Sequence, residues 1–257
     1  MFSSERQGEI LIQLNSHGSM KSTELAEYFK ISLATIRRDL DEMQQKGLLR
    51  RVHGGAVALE AQRRAEDQYF QNRTDTQGEK KEAIGKAAAA LIGDGETVYL
   101  DIGTTVLEVA RNLRDRKKLT VITASLPVLN ELADTEVRVY SVGGRLRPKE
   151  RALVGLEAQE MLKKFCVDKA IVSAGGVSAA NGLTDFNFDS AALKKQAIER
   201  ARESVLVVDS SKFGKDVFAV VCGIGEMDTV VTDNDISEAT RRELSDRNIR
   251  LILAEEM

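Results

Sequence analysis

The chain has 257 residues, with 37 Lys or Arg against 40 Asp or Glu, for a net charge of −3. That balance excludes a protein basic along its whole length, as a general coat for nucleic acid or an acidic membrane would be. The length suits two domains better than one.

Two histidines and two cysteines, with no CxxC, leave little from which to build a zinc site. No metal or cofactor is expected. No apolar run approaches a membrane span, and the opening MFSSERQGEI is polar and charged, unlike a secretory signal. Cys166 and Cys222 each lie in an apolar run and read as reduced core residues of a cytoplasmic protein.

Three helices fit into the first fifty residues. Ser3 or Ser4 caps the first, which turns Ile10, Leu11 and Leu14 inward and ends near His17-Gly18. Ser22 caps a short second helix with Leu25 and Phe29 inward. Ser32 caps a third, running from Leu33 to about Lys46, where Gly47 stops it. LLRRVHGGAVAL follows, and Gly54-Gly55 between two short extended runs predicts a hairpin. Helix, helix, turn, helix, hairpin is a winged helix-turn-helix, here residues 1–59 with the core motif at about 20–39.

The third helix raises a question of charge. In ISLATIRRDL an acid follows two arginines, although Arg37, Arg38, Lys46, Arg50 and Arg51 crowd into fifteen positions. At about 100° per residue, Leu33, Ile36, Leu40 and Met43 form one apolar stripe. Arg38 and Ala34 project from the opposite side, with Arg37 and Thr35 on its flanks. Asp39 lies beside the stripe, facing the scaffold, where it can pair with a basic residue of the wing or first helix. Ser32, Ala34, Thr35, Arg37 and Arg38 are then the face offered to a major groove, supported by Arg50, Arg51 and His53 of the wing.

Residues 60–78 are polar and charged with little periodicity, and read as a linker. Beyond it, strands are predicted at 96–102, 119–124, 136–142, 169–174, 204–209, 218–222, 229–232 and 249–254. Helices fall near 80–92, 105–114, 126–133, 155–165, 190–202 and 237–247. Buried-looking strands spaced by helices predict an open, mostly parallel α/β domain over 79–257.

These residues carry a resemblance. Arg6, Ile10, Leu14, then Ser32-x-x-Thr35-Ile36-Arg37-Arg38-Asp39-Leu40, and the wing RRVHGGA, resemble the DeoR family of bacterial transcriptional regulators. DIGTT at 101–105, GGRLR at 143–147, SAGGV at 173–177 and DSSKFG at 209–214 are similar to blocks of that family's sensor domain. The resemblance implies a cytoplasmic repressor of a sugar-catabolic operon, released from operator DNA by a phosphorylated metabolite. It also implies a sensor fold like ribose-5-phosphate isomerase. Ala124 stands where the family usually has Asn, and Phe188-Asp189-Ser190 where it often has consecutive acids, so effector identity stays open.

The chemistry of the second domain points the same way. Asp101, Gly103, Thr104 and Thr105 sit where a strand gives way to a helix. Glycine admits a ligand close to the backbone, and hydroxyls and helix-end N–H groups suit a phosphate. Ser125, Gly175, Gly176 and Lys212 follow other strands and are candidates for the same rim. An isomerase on this fold is the competing reading, but its strand-end acids are replaced by Ala174-Gly175-Gly176. G-x-x-x-x-G-K-[ST] and G-x-S-x-G are also missing. The expected partners are double-stranded operator DNA, a phosphorylated sugar or polyol, and further copies of the chain as a homodimer or homotetramer.

Overall fold

The computed structural model describes residues 3–17, 19–45, 48–52, 54–58 and 77–255. His53 and most of the expected linker lie outside them. The chain divides into two compact units, Met1–Tyr69 and Phe70–Met257.

The first unit runs α1 (Ser3–His17), β1 (Ser19–Lys21), α2 (Ser22–Phe29), α3 (Leu33–Gln45), β2 (Leu49–Val52) and β3 (Gly55–Ala58). The three strands form an antiparallel sheet in the order β1-β3-β2. The helical stripes meet where the periodicity puts them: Ile10, Leu14, Leu25, Ile36, Leu40 and Met43 are fully buried, with Leu49 and Ala56 from the wing. Strand β1 was not expected, since three residues are too few to show an alternation. It exists because β3 offers it an edge. Ser22 does not cap α2. It is the helix's first residue, its N–H donates to the Gly54 carbonyl at 2.7 Å, and Lys21 occupies the cap position with its N–H on the Glu24 carboxylate. Tying the helix start to the wing turn takes precedence over a side-chain cap.

The second unit runs α4 (Gly78–Ala89), β4 (Thr97–Leu100), α5 (Thr104–Arg111), β5 (Thr120–Thr123), α6 (Leu126–Leu132), β6 (Arg138–Ser141), β7 (Arg145–Arg147), β8 (Ala152–Val154) and α7 (Leu156–Leu162). It continues with β9 (Val167–Val172), β10 (Gly176–Ser178), β11 (Gly182–Asp185), α8 (Phe188–Arg200), β12 (Ala201–Val207), β13 (Ala219–Cys222), β14 (Thr229–Asp233), α9 (Glu238–Asp246) and β15 (Arg250–Ala254). Seven strands form a parallel sheet in the order β15-β14-β12-β9-β4-β5-β6. Apolar clusters cover both faces, as parallel sheets require.

Two expectations about the second unit also need correction. The run at 218–222 is a strand but not part of the parallel sheet; β13 pairs antiparallel with β11 in a separate sheet ordered β10-β11-β13. An apolar run of four reads the same in either sheet, and the partner decides. Cys166 is exposed, in the turn between α7 and β9, whereas Cys222 is buried.

The strand order fixes where a ligand can go. From β4 the chain winds outward through β5 and β6, then returns to place β9 on the other side of β4. The loops after β4 and β9 therefore diverge and leave a crevice at the carboxyl ends of the strands.

Candidate functional site

In the first unit, α3 presents Ser32, Ala34, Arg37 and Arg38 as exposed residues, with Thr35 half-buried. Asp39 is 1% exposed and faces the scaffold, where Arg6 of α1 grips it with two hydrogen bonds, Nε to Oδ2 at 2.6 Å and Nη2 to Oδ1 at 3.0 Å. A two-pronged guanidinium–carboxylate pair fixes orientation as well as charge. The acid inside the basic motif thus locks α3 onto α1 and turns both arginines outward. Ser32 caps α3 by accepting from Thr35 N at 3.1 Å, and the two hydroxyls lie 2.8 Å apart. Arg51 of β2 is tied to α3: its Nε is 3.3 Å from Asp41 Oδ1, and its backbone N–H donates to Gln44. The Arg50 backbone pairs with Val57 in the wing; its side chain and His53 lie outside the described residues.

In the second unit, the crevice beside β4 and β9 is a narrow cleft lined by Lys81, Gly103, Thr104, Thr105, Ser173 and Ala174, with Val207 to Asp209 and Lys212 closing it. Gly103 has φ +156°, and a Cβ there would stand 2.6 Å from the Ser173 hydroxyl, so only glycine lets the β4 loop pass this close. Gly103 also occupies the N-cap of α5 and brings no side chain to satisfy the first-turn amides. The first helical bond comes from Leu107 N to Gly103 O. The N–H groups of Thr104, Thr105 and Val106 precede it, the usual setting for an anion. Lys212, in the short 3-10 turn Ser210–Lys212, and Lys81 of α4 bring two cations from separate elements. Asp209 also lines the cleft, but its carboxylate is turned to the Ser211 backbone N–H and hydroxyl.

Four of the sequence candidates, Gly103, Thr104, Thr105 and Lys212, are thus brought together. Asp101, Ser125, Gly175 and Gly176 are not among the residues that line this cleft. Asp101 is 1% exposed and lies 2.9 Å from Lys194 Nζ of α8, which also holds Asp185 at 2.7 Å and donates to the Ser173 carbonyl. Burial pushes the Asp101 carboxyl above its ordinary range, against the pull of Lys194. Burial disfavours the Lys194 ammonium too, yet the two carboxylates hold its proton above the usual lysine range. Ser125 is buried and caps α6 through Val128 N. Gly175 donates to the Thr184 carbonyl and faces Phe186 and Val217, and Gly176 opens β10 opposite Thr184. Lys81 and Ser173 were missed. In GEKKEA a lysine reads as a solvated helix start, and nothing local marks Lys81 as the one that turns inward to 5% exposure.

Residues 76–234 match the DeoR C terminal sensor domain and residues 6–62 the DeoR-like helix-turn-helix domain. The chain belongs to the DeoR family of DNA-binding transcriptional repressors. It is 32% identical to the glycerol-3-phosphate regulon repressor of Escherichia coli, over 98% of this chain and 100% of that one. It is 36% identical to the lactose phosphotransferase system repressor of Staphylococcus epidermidis, over 90% of this chain and 92% of that one. Among solved structures, ribose 5-phosphate isomerase A of Methanocaldococcus jannaschii matches 52% of this chain and 53% of that one, at 22% identity and a TM-score of 0.40. That likeness is too slight to bear on function. The family acts through DNA, and the chain is a regulator rather than an enzyme. Among the described residues no helix is long and apolar enough to cross a membrane.

Proposed function

We propose that this repressor acts in the cytoplasm on a carbohydrate-catabolism operon and leaves its operator when a phosphorylated sugar or polyol enters the cleft. The observation that carries the reading is the meeting of the Gly103-Thr104-Thr105 helix start with Lys81 and Lys212. Hydroxyls, open helix amides and two cations from different elements fit a phosphate dianion held at a switch point. The names of the two relatives, one a glycerol-3-phosphate and one a sugar-phosphotransferase repressor, support the same class of effector. On the DNA side, Ser32, Ala34, Thr35, Arg37 and Arg38 enter the major groove, and Arg50, Arg51 and His53 follow the backbone. Arg38 is the best placed to read a guanine with both its terminal nitrogens. Two copies, within a homodimer or homotetramer, would read the two operator half-sites.

Thr105→Val and Lys212→Met test the cleft. Each should bind operator as the wild type does while responding to glycerol 3-phosphate or a sugar phosphate only at concentrations at least about 10-fold higher, since losing a hydrogen bond to a charged group costs about 1.5–3 kcal/mol. The measurement is a pair of operator titrations, without and with the phosphorylated probe. Release at the wild-type concentration would place the phosphate elsewhere, and loss of operator binding without probe would make these residues structural.

A further inference from the structure

We propose that Asp233 positions both cations of the cleft, by fastening the start of α4 to the 3-10 turn from a place outside the cleft itself. The inference rests on the reading of the cleft as a phosphate site. Asp233 ends β14, is fully buried, and is not among the residues that line the cleft. Its carboxylate nevertheless receives three donors. Oδ2 accepts from Ser210 N at 2.7 Å, while Oδ1 accepts from Asp235 N at 3.0 Å and from Lys80 Nζ at 3.1 Å. Ser210 and Lys80 belong to other elements, and these are the two elements that carry Lys212 and Lys81.

Each bond sits close enough to a cation to fix it. Lys80 and Lys81 are consecutive on α4, and successive side chains on a helix point about 100° apart. Anchoring Lys80 on β14 therefore sets the rotation of α4 about its axis, and with it the direction in which buried Lys81 projects. Ser210 opens the three-residue turn that ends at Lys212. Asp233 holds the Ser210 N–H from outside while Asp209 holds the Ser211 N–H from within, which fixes the turn on both sides. Lys80 also joins the turn directly, through Ser210 Oγ at 3.4 Å, and pairs with exposed Asp235.

The chemistry of the cleft calls for such an anchor. Two ammonium groups around one narrow cleft repel each other. Binding also gains from donors that stand in place before the ligand arrives, because less ordering remains to be done. Burial alone pushes the Asp233 carboxyl up, but the bonds from Ser210, Asp235 and Lys80 hold it below the usual carboxylate range. The anchor thus stays charged wherever phosphate is a dianion.

Inorganic phosphate is the probe, titrated into the full-length protein and followed by phosphorus NMR, which reports weak binding; melting temperature is recorded separately. Lys80→Met and Asp233→Asn should each weaken phosphate binding by at least about 10-fold, as the loss of one hydrogen bond to a charged group does, although neither residue reaches the cleft. Lys80→Arg should keep most of the affinity. Lys80→Met combined with Asp235→Asn leaves the net charge unchanged and should stay as weak as Lys80→Met alone. Recovery in that double variant would mean that Lys80 acts only as a distant charge, and would overturn the proposal. Wild-type phosphate affinity in folded Lys80→Met, whatever its melting temperature, would overturn it as well, even where Asp233→Asn fails to fold. A wild type that takes up no phosphate would remove the phosphate reading and this proposal together, whereas normal uptake by Lys80→Met removes this proposal alone.

Discussion

Each unit of this repressor buries an aspartate against a basic partner, and the two cases differ in how far the partner lies along the chain. In the DNA-binding unit, Asp39 meets Arg6, 33 residues away on an adjacent helix. In the sensor unit, Asp101 at the end of β4 meets Lys194 of α8, and Asp185 joins them from β11. The first pair connects two elements. The second gathers three, and through the Ser173 carbonyl it also fastens the loop that follows β9. Asp39 is inward because helix arithmetic puts it there, beside Ile36, Leu40 and Met43. Asp101 is inward because a strand of the parallel sheet, a strand of the antiparallel sheet and a helix converge, which no local pattern states. An acid in a functional motif is therefore no guide to function until its facing is known.

Removing the partner from the deeper site should have the larger effect. Lys194→Met leaves the buried Asp101 carboxylate, with the half-buried Asp185 beside it, without its cation, and breaking a buried pair in this way costs about 3–5 kcal/mol. Denaturant unfolding of the full-length protein should show the sensor transition shifted by that amount. The sign with pH follows from Lys194, whose pKa is raised in the folded state. Its stabilisation is fully present below the ordinary lysine pKa and is lost as pH rises through the raised one. The wild-type sensor should therefore weaken at strongly alkaline pH in a way the Lys194→Met variant does not. A variant as stable as the wild type at pH 7 would mean that the cluster contributes no net stabilisation.

Asp39→Ala should cost less. Arg6 is 11% exposed on its side chain and can recover some water, so the loss is that of hydrogen bonds to a charged group, about 1.5–3 kcal/mol. The more telling readout is functional. Without the clamp α3 is free to rotate or fray, and operator affinity should fall although Asp39 faces away from the exposed side that carries Arg37 and Arg38. An operator affinity equal to that of wild type, in a variant with the expected loss of stability, would show that α3 needs no clamp to present Arg37 and Arg38.

What could be read from the residues divides along the same line of distance. The helices of the first unit, the Ser32 cap and the inward turn of Asp39 depend on contacts within one turn or on one periodicity, and all were legible. The Gly103-Thr104-Thr105 turn was legible too, because a strand-to-helix junction carries its chemistry in consecutive residues. Strand β1, the hairpins β7-β8 and β10-β11, and the sheet to which β13 belongs depend on partners far along the chain. So does Lys81, whose neighbour Lys80 turns instead to Asp233, Asp235 and Ser210. Two adjacent lysines with the same local surroundings meet different neighbours, one paired with two aspartates and the other lining the cleft, and only the packing of α4 against β14 and the 3-10 turn at Ser210 separates them.

The smallest expected effect belongs to the most local contact and sharpens the comparison from the other end. Ser32 accepts the Thr35 N–H at 3.1 Å and shares a hydrogen bond with the Thr35 hydroxyl. Ser32 is therefore occupied in capping before any DNA arrives. Ser32→Ala should cost about 1 kcal/mol of stability, and Ser32→Asn should restore most of it, because asparagine caps as well as serine. Operator affinity decides between capping and contact. If the cap matters by holding the first turn of α3 in place, alanine weakens binding and asparagine recovers it together with the stability. If asparagine recovers stability but not affinity, the Ser32 hydroxyl touches the DNA itself, and a three-residue hydrogen bond would then serve both the fold and the operator.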